Sequence, residues 1–205
     1  MHEAAELERR LVRYYDAEAA AGVRSTLGPL RTRLQAQFRA RLHAEDRRFV
    51  VDVGAGPGRD VEGFADDGFE VVGLDLGRAN VGLIAAAGFP AVVGSVVALP
   101  FASASCEAVW TMSTLVHVPD ERLDAALGEL VRIAAPGAPI AIGSWGGRDW
   151  EGISDVTRFD PPRFFSLRAH GRWRTTLARF GGIEQFETAE PDQAGWEYQF
   201  AVLRV

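Results

Sequence analysis

Lysine is absent from this chain of 205 residues: all 22 basic residues are arginine, a bias of composition rather than a device. A single cysteine, Cys106, excludes an internal disulfide and a thiolate metal cluster, and reads as a small buried apolar residue. No apolar run approaches the ~18 residues of a membrane-spanning helix, and neither an internal repeat nor a low-complexity tract occurs. The first fifteen residues are full of Glu and Arg and resemble no secretory leader. Positive charge is not in excess either. A formal net charge of −6 argues against nucleic acid or an anionic membrane as partner, since either needs a basic surface. A single cytoplasmic domain, monomeric or homodimeric, is the expectation. With 47% hydrophobic residues the chain can close a core, and a domain of this size buries about 70% of its unfolded surface.

What is present is concentrated between Phe49 and Asp60, in the order Phe-Val-Val-Asp-Val-Gly-Ala-Gly-Pro-Gly-Arg-Asp. The first five residues read as a buried parallel strand. Gly54, Gly56 and Gly58 then allow positive φ and remove the Cβ atoms that would hold a ligand off the backbone. A helix starting near Arg59 would point its free N–H groups into the same space. After a helix-length gap, Phe69 to Asp75 reads as a second buried strand that ends in an acid. A carboxylate about twenty positions beyond a glycine loop can accept both hydroxyls of a ribose. Two cofactor classes fit at this point, a nicotinamide dinucleotide and an adenosyl sulfonium. The third glycine stands one position early for the first.

Along the rest of the chain, Glu3 to Ala21 and Ser25 to Ala44 read as helices. In the second, Leu30, Leu34, Phe38 and Leu42 make an apolar face, with Arg31, Arg33, Arg39 and Arg41 expected in water. Helices are expected over Val61–Asp67, Arg78–Ala87, Glu121–Ala134 and Gly171–Phe180. They alternate with strands at Ala91–Gly94, Glu107–Met112 and Pro139–Ser144, before a terminal hairpin of Ile183–Glu187 and Glu197–Arg204. This βαβαβ order implies a parallel sheet with right-handed crossovers. Residues 146–162 are poorly patterned and read as a loop, which is uncommon at that length without a function.

Asp52 two residues before the Gly-x-Gly-x-Gly run resembles motif I of the class I S-adenosylmethionine-dependent methyltransferases, of the small bacterial kind. The later segments follow in that family's order, across roughly Tyr14 to Val205. Gly94-Ser95-Val96-Val97-Ala98-Leu99-Pro100-Phe101 resembles the next motif, with Ser95 in place of the usual acid and so a weaker adenine contact. Thr111 to Asp120 resembles its Leu-x-His-hydrophobic-Pro-Asp turn, and Tyr14-Tyr15-Asp16 its Tyr-Asp element.

The resemblance implies an α/β three-layer sandwich around a seven-stranded, mostly parallel Rossmann-like sheet with its last strand antiparallel. Residues 1–45 would form a helical cap and 145–162 a lid. It implies S-adenosylmethionine as cofactor, S-adenosylhomocysteine as product, no metal, and a small molecule methylated on oxygen or nitrogen. The cofactor would be held by Tyr15, Asp52, Gly54, Ala55, Gly56, Gly58, Asp75, Leu76, Ser95, Val96 and Thr111. Met112, His117 and Trp145 would meet the acceptor; on the residues alone, Asp149, Glu151, Asp155 and Arg158 are available to select a polar or cationic one. His117, with an ordinary pKa near 6.5, is the candidate base. Alternatives of other classes are a nucleic-acid or protein methyltransferase and a nucleoside-binding relative without transfer activity.

Overall fold

A computed structural model describes residues 2–22, 26–154, 157–190 and 195–205, with side chains from residue 5 onward. Two helices, α1 (His2–Ala20) and α2 (Pro29–Ala44), precede an alternation of β1 (Phe49–Val53), α3 (Arg59–Asp66), β2 (Glu70–Asp75), α4 (Arg78–Ala86) and β3 (Ala91–Val93). Then come β4 (Ala108–Met112), a one-turn 3-10 helix at Leu115–His117, α5 (Asp120–Ile133) and β5 (Pro139–Gly146). The chain closes with β6 (Trp150–Ile153), β7 (Phe164–Leu167), α6 (His170–Leu177), β8 (Gly182–Thr188) and β9 (Glu197–Arg204). Helix α2 begins at Pro29, where a missing N–H costs nothing; Ser25, its expected start, lies outside the described residues.

The expected sheet is present. Seven strands run in the order β3-β2-β1-β4-β5-β9-β8. The pairs from β3 to β5 are parallel, and β9 is antiparallel to both β5 and β8. Chain order runs outward in one direction from β1 to β3 and in the other from β4 to β5. The crevice between the carboxyl ends of β1 and β4 is where open α/β sheets bind ligands.

Both faces of the sheet are covered, which is why β1 reads as an almost continuous apolar run. Val51 and Val53 face α5 and α6, among Leu123, Leu127, Leu130, Trp173 and Leu177. Val50 faces α2 and α3, among Leu34, Phe38, Phe64, Trp110 and Phe200. Side chains alternate along a strand, so Asp52 shares the face of Val50 and points beneath α2 and α3.

The 145–162 segment differs from expectation. Trp145 and Gly146 continue β5, and β6 pairs with β7 as a separate antiparallel ribbon. No alternation announces β6, because Trp150 and Ile153 are both exposed, at 37% and 43%. The carboxylates expected to select an acceptor secure this ribbon instead: Asp149 accepts from the Ala169 amide, and Glu151 from the Asp120 amide and the Ser166 hydroxyl. Asp155 lies outside the described residues.

The ribbon is pinned to the 115–120 turn by Arg168, a guanidinium only 2% exposed. It donates to Asp120 Oδ1 at 2.9 Å and to the carbonyls of Leu115, Val118 and Ser166, and lies over Trp173. One cation thus fixes both ends of the turn that carries His117. Replacing a buried, fully bonded charge leaves its partners unpaired, at a typical cost of about 3–5 kcal/mol. Arg168→Met is expected to lose that much stability in urea unfolding; a loss below about 1 kcal/mol would show that the clamp is dispensable.

Candidate active site

Between α1 and the carboxyl ends of β1, β2 and β4 lies a cavity of about 220 Å³. One face of α1, carrying Leu7, Glu8, Leu11, Val12, Tyr15 and Glu18, forms its roof. Below it the glycine loop is drawn tightly onto β2, since the amides of Gly54 and Ala55 both donate to the Leu74 carbonyl, at 2.7 and 2.9 Å.

The three glycines do not share one task. A Cβ on Gly54 would collide with the Thr114 side chain, and one on Gly58 would stand 2.8 Å from Ile84. Those two are bare so that the protein can pack on itself. Gly56, at φ 55°, is the one whose missing Cβ faces open space. Gly54, Ala55 and Gly56 line the cavity, whereas Gly58 is not among its lining residues.

Asp75, at the tip of β2, is 9% exposed and faces the cavity. Its Oδ2 accepts from the Gly56 amide at 2.8 Å. Its Oδ1 accepts from the Gly77 amide at 2.8 Å and from Asn80 at 3.2 Å. A carboxylate has about four acceptor positions, so one remains for a ligand. Burial pushes its pKa up, against the pull of these three donors. Leu76, Ser95 and Val96 line the same end of the cavity, where Ser95 Oγ donates to Glu8 on α1 at 2.9 Å.

The opposite end holds a feature that the sequence reading missed. Arg31 does not stand in water: it forms a bidentate pair with Asp60, and both line the cavity. Gln35, also buried, donates to Asp60, and Arg31 donates to Tyr198 Oη at 3.3 Å while lying over Trp110. The signal was available in the spacing, because Arg31 precedes the buried Leu34, Gln35 and Phe38 by three, four and seven positions and so shares their stripe. Arg33, Arg39 and Arg41 do pair with surface-side acids, Glu187, Asp67 and Glu184.

Three other expected residues stand off the cavity. Asp52 is 1% exposed and absent from the lining; neither of its oxygens has a hydrogen-bond partner. Burial, reinforced by Asp60, pushes its pKa well above the carboxylate range. Thr111 is buried within β4 and Trp145 packs edge-on against Tyr198; neither lines the cavity. Met112, at the end of β4, does. Among the described residues no part of 145–162 lines it, and none of the His, Cys, Asp and Glu side chains gather into a metal site.

His117 lines the cavity with both ring nitrogens engaged, Nδ1 with the Phe164 carbonyl at 2.8 Å and Nε2 with Tyr15 Oη at 3.1 Å. Burial drives its pKa down to about 4, against the pull of the Phe164 bond, with Arg163 adding to the fall. The ring is therefore neutral at ordinary pH, rather than poised near 6.5.

Residues 51–142 match the model of the methyltransferase domain family. Demethylmenaquinone methyltransferase of Renibacterium salmoninarum is 37% identical over 95 residues, 45% of this chain and 39% of that protein. The probable chloroplastic tocopherol O-methyltransferase of Oryza sativa is 34% identical over 113 residues, 50% of this chain and 30% of that protein. The chain thus spans less than half the length of either relative. Among solved structures, the cyclase SpnF superposes with a TM-score of 0.73 at 15% identity, over 96% of this chain and 95% of that one. A 1,6-didemethyltoxoflavin-N1-methyltransferase of Burkholderia thailandensis, solved with S-adenosylhomocysteine, gives 0.70 at 19% identity over 99% and 88%. Fold and motif order accord with the family match, which takes in residues 51–142, under half of the chain.

The low pKa of His117 has a consequence for stability. Unfolded, the ring takes a proton near pH 6.5; folded, only near 4. The stability it confers is complete above pH 6.5 and is lost as pH falls toward 4, by up to about 3 kcal/mol. The urea midpoint is expected to fall over that window, and to fall less in His117→Gln, whose amide does not titrate. Equal slopes would place the titration elsewhere.

Proposed function

We propose that the chain transfers a methyl group from S-adenosylmethionine to an oxygen or nitrogen atom of a small molecule by in-line displacement, releasing S-adenosylhomocysteine. The observation that carries this reading is the pairing of open space beside Gly56 with the outward acceptor position of Asp75. The residues fit such a ligand along its whole length. Leu76, Ser95 and Val96 would take the adenine and Asp75 the ribose hydroxyls. Backbone at Gly54–Gly56 would take the amino-acid portion. Arg31 offers that portion's carboxylate a cation, and its partner Asp60, in the same wall, offers the ammonium group a counter-charge.

When bound, the cofactor supplies a methyl already activated on a sulfonium, so the protein's main work is alignment, worth about 7–11 kcal/mol when geometry is near-attack. The named relatives act on small molecules, demethylmenaquinone, tocopherol and didemethyltoxoflavin among them, and this supports a small-molecule acceptor here. A cytoplasmic setting accords with the acidic chain. The likeness to a cyclase favours one second reading, a relative that keeps the adenosyl seat and catalyses a different reaction on it.

S-adenosylhomocysteine is expected to raise the melting temperature and NADH to leave it unchanged; stabilisation by NADH alone would remove the reading. Formation of S-adenosylhomocysteine over a panel of small acceptors separates transfer from the cyclase-like alternative. Asp75→Asn deletes a charge-assisted partner of the ribose and should weaken S-adenosylhomocysteine binding by about 1–3 kcal/mol in calorimetry. Unchanged affinity would mean that the ribose lies elsewhere.

A further inference from the structure

In the wall of the cavity three hydrogen bonds fix the direction of one proton. The Phe164 carbonyl can only accept, and it lies 2.8 Å from His117 Nδ1, so Nδ1 carries the hydrogen. A neutral imidazole protonated there has a bare lone pair on Nε2. Tyr15 Oη stands 3.1 Å from that lone pair and must donate to it. Arg163 can only donate, and its Nη1 reaches the same Tyr15 oxygen at 3.0 Å. Tyr15 has therefore spent its proton on His117 and one lone pair on Arg163. What it has left is a lone pair, in a cavity that both Tyr15 and His117 line.

Nothing near the phenol can reverse this arrangement cheaply. Arg163 lies over Tyr14 at 4.1 Å, over Phe165 at 5.0 Å and over Tyr15 itself at 5.5 Å, so its guanidinium is held in an aromatic slot. If Tyr15 rotated to donate into the cavity, Nε2 of His117 would be left buried without a partner, at a cost of about 1–3 kcal/mol.

We propose that Tyr15 is a catalytic residue that accepts a hydrogen bond from the methyl acceptor, and that this acceptor is a molecule bearing a neutral hydroxyl, phenolic or enolic, with His117 as the residue that positions Tyr15. This rests on the methyl-transfer reading and narrows it. The fixed lone pair selects a group that brings its own hydrogen. The Arg163 guanidinium bonded to the same phenol oxygen repels an ammonium group at this position. As the oxygen–methyl bond forms and the methyl–sulfur bond breaks, with its electron pair staying on sulfur, the hydroxyl proton passes to the Tyr15 oxygen. Tyr15 passes its own proton to Nε2, and the proton leaves by the same bonds once the product has gone. Burial and Arg163 keep His117 unprotonated in advance, so the pair is ready to receive throughout the neutral range.

Two measurements test this. In the ligand-free protein, nitrogen-15 shifts of His117 should report the Nδ1–H tautomer between pH 6 and 8; the Nε2–H tautomer overturns the proposal. On protein saturated with S-adenosylhomocysteine, fluorine NMR should show 4-fluorophenol binding about tenfold more tightly than 4-fluoroanisole, which has no hydrogen to give. That preference should collapse to about twofold or less in Tyr15→Phe and His117→Ala, and return in part in His117→Gln, whose amide oxygen can accept from Tyr15. A merely structural role would weaken both probes alike. Equal binding of the two probes, binding of neither, or a preference that survives Tyr15→Phe overturns it. Failure of S-adenosylhomocysteine itself to bind is a separate result, and removes the methyl-transfer reading instead.

Discussion

The Asp75 carboxylate holds two chain turns in one geometry, and the rest of the site is referred to it. Its bond to the Gly56 amide ties the glycine loop after β1 to the tip of β2; its bonds to Gly77 and Asn80 fix the start of α4. With the amides of Gly54 and Ala55 on the Leu74 carbonyl, the loop has little freedom left. A carboxylate buried this far is costly unless donors surround it. One of the donors here is the Gly56 amide, whose position decides whether a ligand can lie along the loop, so part of the desolvation cost is met by the group that shapes the seat.

Much of this was legible in the chain. Parallel strands with both faces covered leave an unmistakable apolar run, and the break from Val53 into glycines marks where β1 ends. What was not legible depends on long-range placement. Arg31 looked solvated because arginines surround it, and only its position on the stripe of Leu34 and Phe38 says otherwise. Gly54 and Gly58 looked like ligand clearances, but the groups they make room for, Thr114 and Ile84, come from distant parts of the chain. Strand β6 carries no periodicity, since neither of its large apolar residues is buried. His117 looked like a base that meets the acceptor directly; a carbonyl 47 residues away and a tyrosine 102 residues away engage both its ring nitrogens, so a proton can reach it only through Tyr15.

The family match ends where the individuality of the site begins. Residues 51–142 run from β1 into β5 and contain the glycine loop, Asp75, Ser95 and His117. Tyr15, Arg31 and Arg163 all lie outside that span. Most groups that would hold a cofactor therefore lie in the matched span, Arg31 being outside it. Tyr15 and Arg163, beside which an acceptor would lie, come from α1 and the approach to β7, outside the matched span.

One helix both encloses the cavity and carries the phenol that meets His117. Leu7, Leu11 and Val12 close the roof, and on the next turn of that helix Tyr15 reaches His117. The roof and the phenol belong to one element, so any displacement of α1 would change the enclosure of the cavity and the Tyr15–His117 bond together.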